Sequence, residues 1–144
     1  MSDSNVIPGS CHCGSIRFVF RSTIAPERLF PRACDCSFCQ RHGASYISDP
    51  NGSLRLEIDR VGALGTYRQG HGLAQFVFCR QCGVLVAVLY ETEGKRFASV
   101  NSRCVRDTRL GEAGPASPQT LSSEQKTERW RKVMIPDVEL AVGR

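Results

Sequence analysis

Seven of the eight cysteines fall into three tight groups: Cys11-His12-Cys13, Cys34-Asp35-Cys36-Ser37-Phe38-Cys39 and Cys79-Arg80-Gln81-Cys82-Gly83. Sulfurs this close along the backbone are spaced to grip one soft cation. Zinc takes thiolates at about 2.3 Å in a tetrahedron. The count divides unevenly. The pairs Cys11/Cys13 and Cys79/Cys82 make a closed four-sulfur set, and the triplet Cys34, Cys36 and Cys39 is left with three. A four-thiolate zinc is usually structural, whereas three protein ligands leave a position open to water or substrate. The expectation is two Zn²⁺ per chain, one structural and one reactive.

A disulfide framework is the rival reading, but it needs an oxidising compartment. The opening residues MSDSNVIPGS have neither the basic region nor the apolar run of a secretory signal. No stretch approaches the roughly 18 apolar residues of a membrane span. Metal is therefore preferred over disulfides, and a cytoplasmic location and no membrane partner are expected.

The 144 residues, with 41% hydrophobic and 23% charged content, suit one globular domain spanning 1–144. The formal charge of +5 invites a nucleic-acid reading. Seven thiolates and two Zn²⁺ together contribute −3, which brings the net charge to about +2. The sixteen arginines and three lysines are scattered singly, among them Arg17, Arg21, Arg28, Arg32, Arg41, Arg55 and Arg60. Nucleic-acid binding is unlike this pattern, because such footprints cluster on one element.

β signals dominate the chain. Ile16, Phe18 and Phe20 alternate with polar neighbours, as do Leu54, Leu56 and Ile58. Strands over 74–78 and 84–90 flank the Cys79/Cys82 pair and place it in a hairpin turn, where Gly83 supplies the backbone freedom of a zinc knuckle. A further strand is expected over 97–100, with turns at 49–52 and 70–72. One helical turn is expected over Ser37 to His42, with Ser37 as N-cap and Gly43 as stop. A second helix runs over 123–133, opened by a capping box from Ser122 and Gln125 after a Gly/Pro/Ser loop at 111–118. Trp130 packs this helix onto the sheet.

The stretches Cys11-His12-Cys13-Gly14-Ser15-Ile16-Arg17-Phe18, Cys34-Asp35-Cys36-Ser37-Phe38-Cys39 and Phe78-Cys79-Arg80-Gln81-Cys82-Gly83 resemble the glutathione-dependent formaldehyde-activating enzyme family, which includes the centromere protein V group. The likeness covers about 9–103, and 111–144 is a divergent C-terminal extension. The resemblance implies a mainly β fold, a β-tent of antiparallel sheets with zinc knuckles and a short C-terminal helix. It implies a structural zinc on Cys11, Cys13, Cys79 and Cys82, and a second on Cys34, Cys36 and Cys39 where glutathione binds. The family's named activity joins glutathione to formaldehyde as S-hydroxymethylglutathione, a carbon–sulfur lyase reaction in reverse.

The ligands support that chemistry independently. A zinc with three thiolates carries net negative charge and is a weak activator of water. It readily exchanges soft ligands, and a thiol entering the fourth position is held as thiolate. The expected partner is a small thiol such as glutathione or its aldehyde adduct. Cys34, Cys36 and Cys39 are therefore the candidate catalytic ligands of a carbon–sulfur lyase-type enzyme.

Bland roles are preferred elsewhere. His42 is a helix-end residue or a fourth ligand, and His12 points away from the metal. His71 lies in an exposed turn, and Asp35 accepts backbone hydrogen bonds. Arg41 and Arg68 are surface cations, and Cys104 is a small buried apolar residue. Two alternatives stay open: a zinc-stabilised protein- or nucleic-acid-interaction module closed by His42 or Cys104, and a redox sensor that releases zinc on oxidation.

Overall fold

Alternating apolar side chains assemble into two sheets in the computed structural model, which describes residues 5–117 and 120–143. Pro118, the last residue of the loop expected at 111–118, lies outside the described residues. In chain order the elements are β1 (Asn5–Ser10), β2 (Ile16–Ser22), β3 (Arg32–Cys34), α1 (Ser37–His42), β4 (Ser45–Ile47), β5 (Ser53–Ile58) and β6 (Leu64–Tyr67). They continue with β7 (Gln75–Cys79), β8 (Leu85–Thr92), β9 (Lys95–Asn101), β10 (Gly114–Ala116), α2 (Ser123–Val133) and β11 (Asp137–Val142). One sheet has four strands in the order β1-β2-β5-β11, and the other has seven in the order β10-β3-β4-β9-β8-β7-β6.

The smaller sheet buries one face. Ile16, Phe18 and Phe20 of β2 lie opposite Ile58, Leu56 and Leu54 of β5, and all six side chains are buried. Each such side chain contributes about 1.5–3 kcal/mol when withdrawn from water. They join Val77, Ala87, Leu89, Ala98 and Val100 of the larger sheet in one core. Strand β8 does not alternate: Leu85 to Tyr90 are all buried. A strand covered on both faces reads as a continuous apolar run. The first face of β8 meets the smaller sheet; the second meets a separate cluster holding Tyr46, Phe76, Phe97, Met134, Cys36 and Cys39.

The strands expected over 16–20, 54–58, 74–78, 84–90 and 97–100 are present, with ends moved by one or two residues. The mainly β fold holds, and most pairs are antiparallel. Two are parallel: β10 with β3, and β11 with β5. The C-terminal residues expected as an extension thus supply an edge strand to the smaller sheet, and α2 covers the outer face of the larger one. Trp130 of α2 lies 5.0 Å from the Tyr90 ring, which anchors the helix as expected. The capping box of Ser122 and Gln125 is present. No described helix is long and apolar enough to cross a membrane.

One detail differs from expectation. The N-cap of α1 is Cys36, not Ser37: its Sγ accepts from the Cys39 N–H, and Gly43 closes the helix at φ 62°. A cysteine sulfur serves there as serine oxygen does elsewhere, so one residue is both cap and candidate ligand.

Candidate metal centres and cavity

Two cysteine groups converge, and they divide as the spacing implied. Cys11, Cys13, Cys79 and Cys82 bring their sulfurs within 4.8 Å of one another, and so do Cys34, Cys36 and Cys39. All eight cysteines are free thiols. Cys13 Sγ lies 3.8 Å from Cys11 Sγ and 3.6 Å from Cys79 Sγ. Sulfurs on a zinc tetrahedron are about 3.8 Å apart, so this donor set fits zinc without rearrangement.

The tetrad joins the two sheets. Cys11 and Cys13 stand in the loop between β1 and β2; Cys79 ends β7 and Cys82 lies in the turn before β8. That turn works because Gly83 adopts φ 81°, a region side-chain-bearing residues rarely enter. Backbone N–H groups of Ile16 and Gln81 donate to Cys11 Sγ and Cys79 Sγ at 3.3 and 3.4 Å. Such donors favour the charged sulfur. Hydrogen bonds at Ser15 bring the exposed Cys13 thiol down to about 6, whereas burial pushes Cys79 up to about 11. A bound metal displaces both protons.

The triplet is assembled by β3 and α1. Cys34 ends the strand, Cys36 caps the helix and Cys39 faces inward from its first turn. The neighbouring Cys39 thiol holds the Cys34 thiol down at about 6 against partial burial, while the Cys34 sulfur and burial push Cys39 well up. Tyr46 Oη sits 3.1 Å from Cys39 Sγ. Burial, reinforced by the neighbouring sulfurs, holds the Tyr46 hydroxyl far above its ordinary range, so it remains a donor to sulfur. Gln69 Nε2 lies 3.7 Å from Cys36 Sγ. Asp35 Oδ2 accepts from the Ser117 hydroxyl at 2.7 Å rather than from the backbone as expected, and its buried Oδ1 has no partner among the described residues.

The fourth corner of the triplet is not filled by a side chain among the described residues. His42 is exposed and packs its ring 4.7 Å from Phe38, outside the sulfur group. Cys104 is buried and donates to the Leu85 carbonyl at 3.3 Å. Burial pushes that thiol up to about 12, as suits a small apolar residue. His12 and His71 are exposed. Arg41 and Arg68 donate to the carbonyls of Ser37 and Gly72 on the surface.

A cavity of about 390 Å³ opens beside the triplet, and Cys34, Cys39 and Tyr46 form part of its wall. Phe76, Val88, Trp130 and Met134 give it an apolar lining. Trp130 therefore both anchors α2 and lines the cavity. Arg32 and Arg129 also reach it. In the sequence both read as scattered cations. For Arg32 a signal existed, since it stands two residues before Cys34 and shares its strand face. No local signal marks Arg129.

The family model described as glutathione-dependent formaldehyde-activating enzyme matches residues 6–121. That match runs beyond the 9–103 expected from the motifs and stops just before α2. A crystal structure of a Rhodobacter sphaeroides protein is similar to this chain at 27% identity and a TM-score of 0.55, covering 76% of this chain and 99% of that one.

Proposed function

Because the chain belongs to the glutathione-dependent formaldehyde-activating enzyme family, we propose that it is a carbon–sulfur lyase-type enzyme that joins a thiol to an aldehyde, or separates the two, beside Cys34, Cys36 and Cys39. One observation carries this reading: a three-cysteine group, with no fourth side-chain donor among the described residues, presents two of its members, Cys34 and Cys39, to a cavity large enough for a small ligand. Zinc held by those sulfurs would supply a soft cation on which an incoming thiol is kept as thiolate at neutral pH. The tetrad is the structural site in this reading, because its four donors leave no open position.

The chain's own groups have distinct tasks. Tyr46 donates a hydrogen bond to Cys39 Sγ and so withdraws charge from that sulfur and fixes its direction. Gln69 does the same at Cys36. Phe76, Val88 and Trp130 exclude water and orient the organic part of the ligand. In the forward direction a carbon–sulfur bond forms, the carbonyl π pair moves to oxygen, and the proton lost by the thiol ends on that oxygen. No electrons are transferred to or from the reactants. Small soluble thiols such as glutathione, and their hydroxyalkyl adducts, are the substrate class.

The test is Cys36→Ser, which keeps a good helix cap and removes one sulfur. Zinc content should fall by one per chain, and calorimetric binding of glutathione or S-hydroxymethylglutathione should be lost while the circular dichroism spectrum persists. Thiol binding equal to wild type would place the substrate elsewhere and end this reading.

A further inference from the structure

Two cations, Arg32 and Arg129, line the same cavity, and no described acidic side chain lines it. Arg32 precedes Cys34 by two positions in β3, so both side chains leave the same face with Cα atoms about 6.6 Å apart. Its Nη2 donates to Ser48 Oγ at 2.9 Å, and Ser48 in turn donates to the Val133 carbonyl at the end of α2. The guanidinium is thereby held in place. Arg129 reaches the same cavity from α2.

Asp35, whose Oδ2 accepts from the cavity-lining Ser117 Oγ, does not itself line the cavity. The ion pairs among the described residues use Arg17, Arg55, Arg96 and Lys132, and no acidic residue lines the cavity. Arg32 is half-buried and Arg129 exposed, and an anion between them would be attracted to both guanidinium groups. Guanidinium groups match a carboxylate with paired N–H donors. The remaining wall is largely apolar, with Phe76, Val88, Trp130 and Met134 prominent.

We infer that Arg32 and Arg129 form a carboxylate subsite beside the triplet, which selects thiols, or their aldehyde adducts, carrying a carboxylate on an apolar body. This deepens the thiol-adduct reading and rests on it for the position of the sulfur. Glutathione has carboxylates, yet its ammonium group meets no acidic partner in the lining, so simpler mercapto acids satisfy the site better. Arg32 lies within the segment matched by the family and Arg129, on α2, lies after it.

The experiment measures calorimetric binding of three chain-matched ligands to the zinc-loaded protein: 4-mercaptobutyrate, 4-mercapto-1-butanol and pentanoate. The mercapto acid is expected to bind at least tenfold tighter than the mercapto alcohol. In Arg129→Gln, an exchange at an exposed helix position, that preference should drop below threefold with the circular dichroism melt preserved. Equal binding of the two thiols to wild type overturns the subsite and leaves the thiol reading standing. If neither thiol gains from its sulfur, yet pentanoate binds in an Arg129-dependent way, the subsite stands and the thiol reading falls. Absence of binding by all three overturns the inference.

Discussion

Removing one sulfur from each cysteine group should destabilise the protein unequally, because the groups close chain segments of very different length. Cys13→Ser and Cys36→Ser make the cleanest pair. Cys13 is exposed, so serine there incurs no burial penalty. Cys36 is an N-cap, a position serine fills well. A metal linking Cys13 to Cys79 closes a loop across a separation of 66 residues. By the loop-entropy relation for cross-links, that constraint is worth about 4 kcal/mol. The triplet closes only the short segment from Cys34 to Cys39, worth about 2 kcal/mol by the same relation.

The metal's own binding free energy adds to both, but the difference of about 2 kcal/mol comes from topology alone. For a chain of this size, about 4 °C in melting temperature accompanies each kcal/mol. The tetrad variant should therefore melt at least about 15 °C below wild type, and the triplet variant about 8 °C below. Circular dichroism melts with a zinc count on each purified protein would decide it. If Cys36→Ser melted lower than Cys13→Ser, with each having lost one zinc, the assignment of the sheet-joining site as the structural one would be wrong.

Two further outcomes test other parts of the molecule. Tyr46→Phe removes the donor to Cys39 Sγ while keeping the ring packing, so triplet zinc affinity should fall about 10–100-fold in a chelator competition, with the tetrad zinc unaffected; unchanged affinity would mean that hydrogen bond does not tune the site. Asp49 is fully buried, and burial pushes its carboxyl up, but bonds from Asn51 N, Thr23 N, Thr23 Oγ1 and Ser22 Oγ outweigh that and leave it below the ordinary range. Its contribution is full above the unfolded value near about 3.9 and is lost as pH falls through the lower folded value. Asp49→Asn should cost about 2–3 kcal/mol in urea unfolding at pH 7, and its gap from wild type should narrow only below about pH 4; a gap independent of pH down to about 2 would refute the ionised role.

Much of this protein is legible in the order of its residues. Metal coordination is a local demand: sulfurs two or three residues apart must lie close whatever the fold, so Cys11/Cys13, Cys79/Cys82 and the triplet declare themselves by spacing. Strands β2 and β5 are equally plain, since each keeps one face wet and therefore alternates. Strand β8 shows only as an apolar run, because both of its faces are covered. The short strands β3, β4, β6 and β10 left no such mark. Three or four residues hardly establish a period, and their pairing depends on neighbours far along the chain.

The cavity belongs wholly to the tertiary structure. Its walls come from β3, α1, β4, β7, β8, β9, β10 and α2, and nothing local brings Arg129 to the cavity that Arg32 lines. Capping and periodicity report a helix over 123–133 but not the sheet face it covers, because docking is decided by which apolar surface remains uncovered after the sheets have formed. Short-range geometry determined where metals can bind; long-range packing decided what stands beside them.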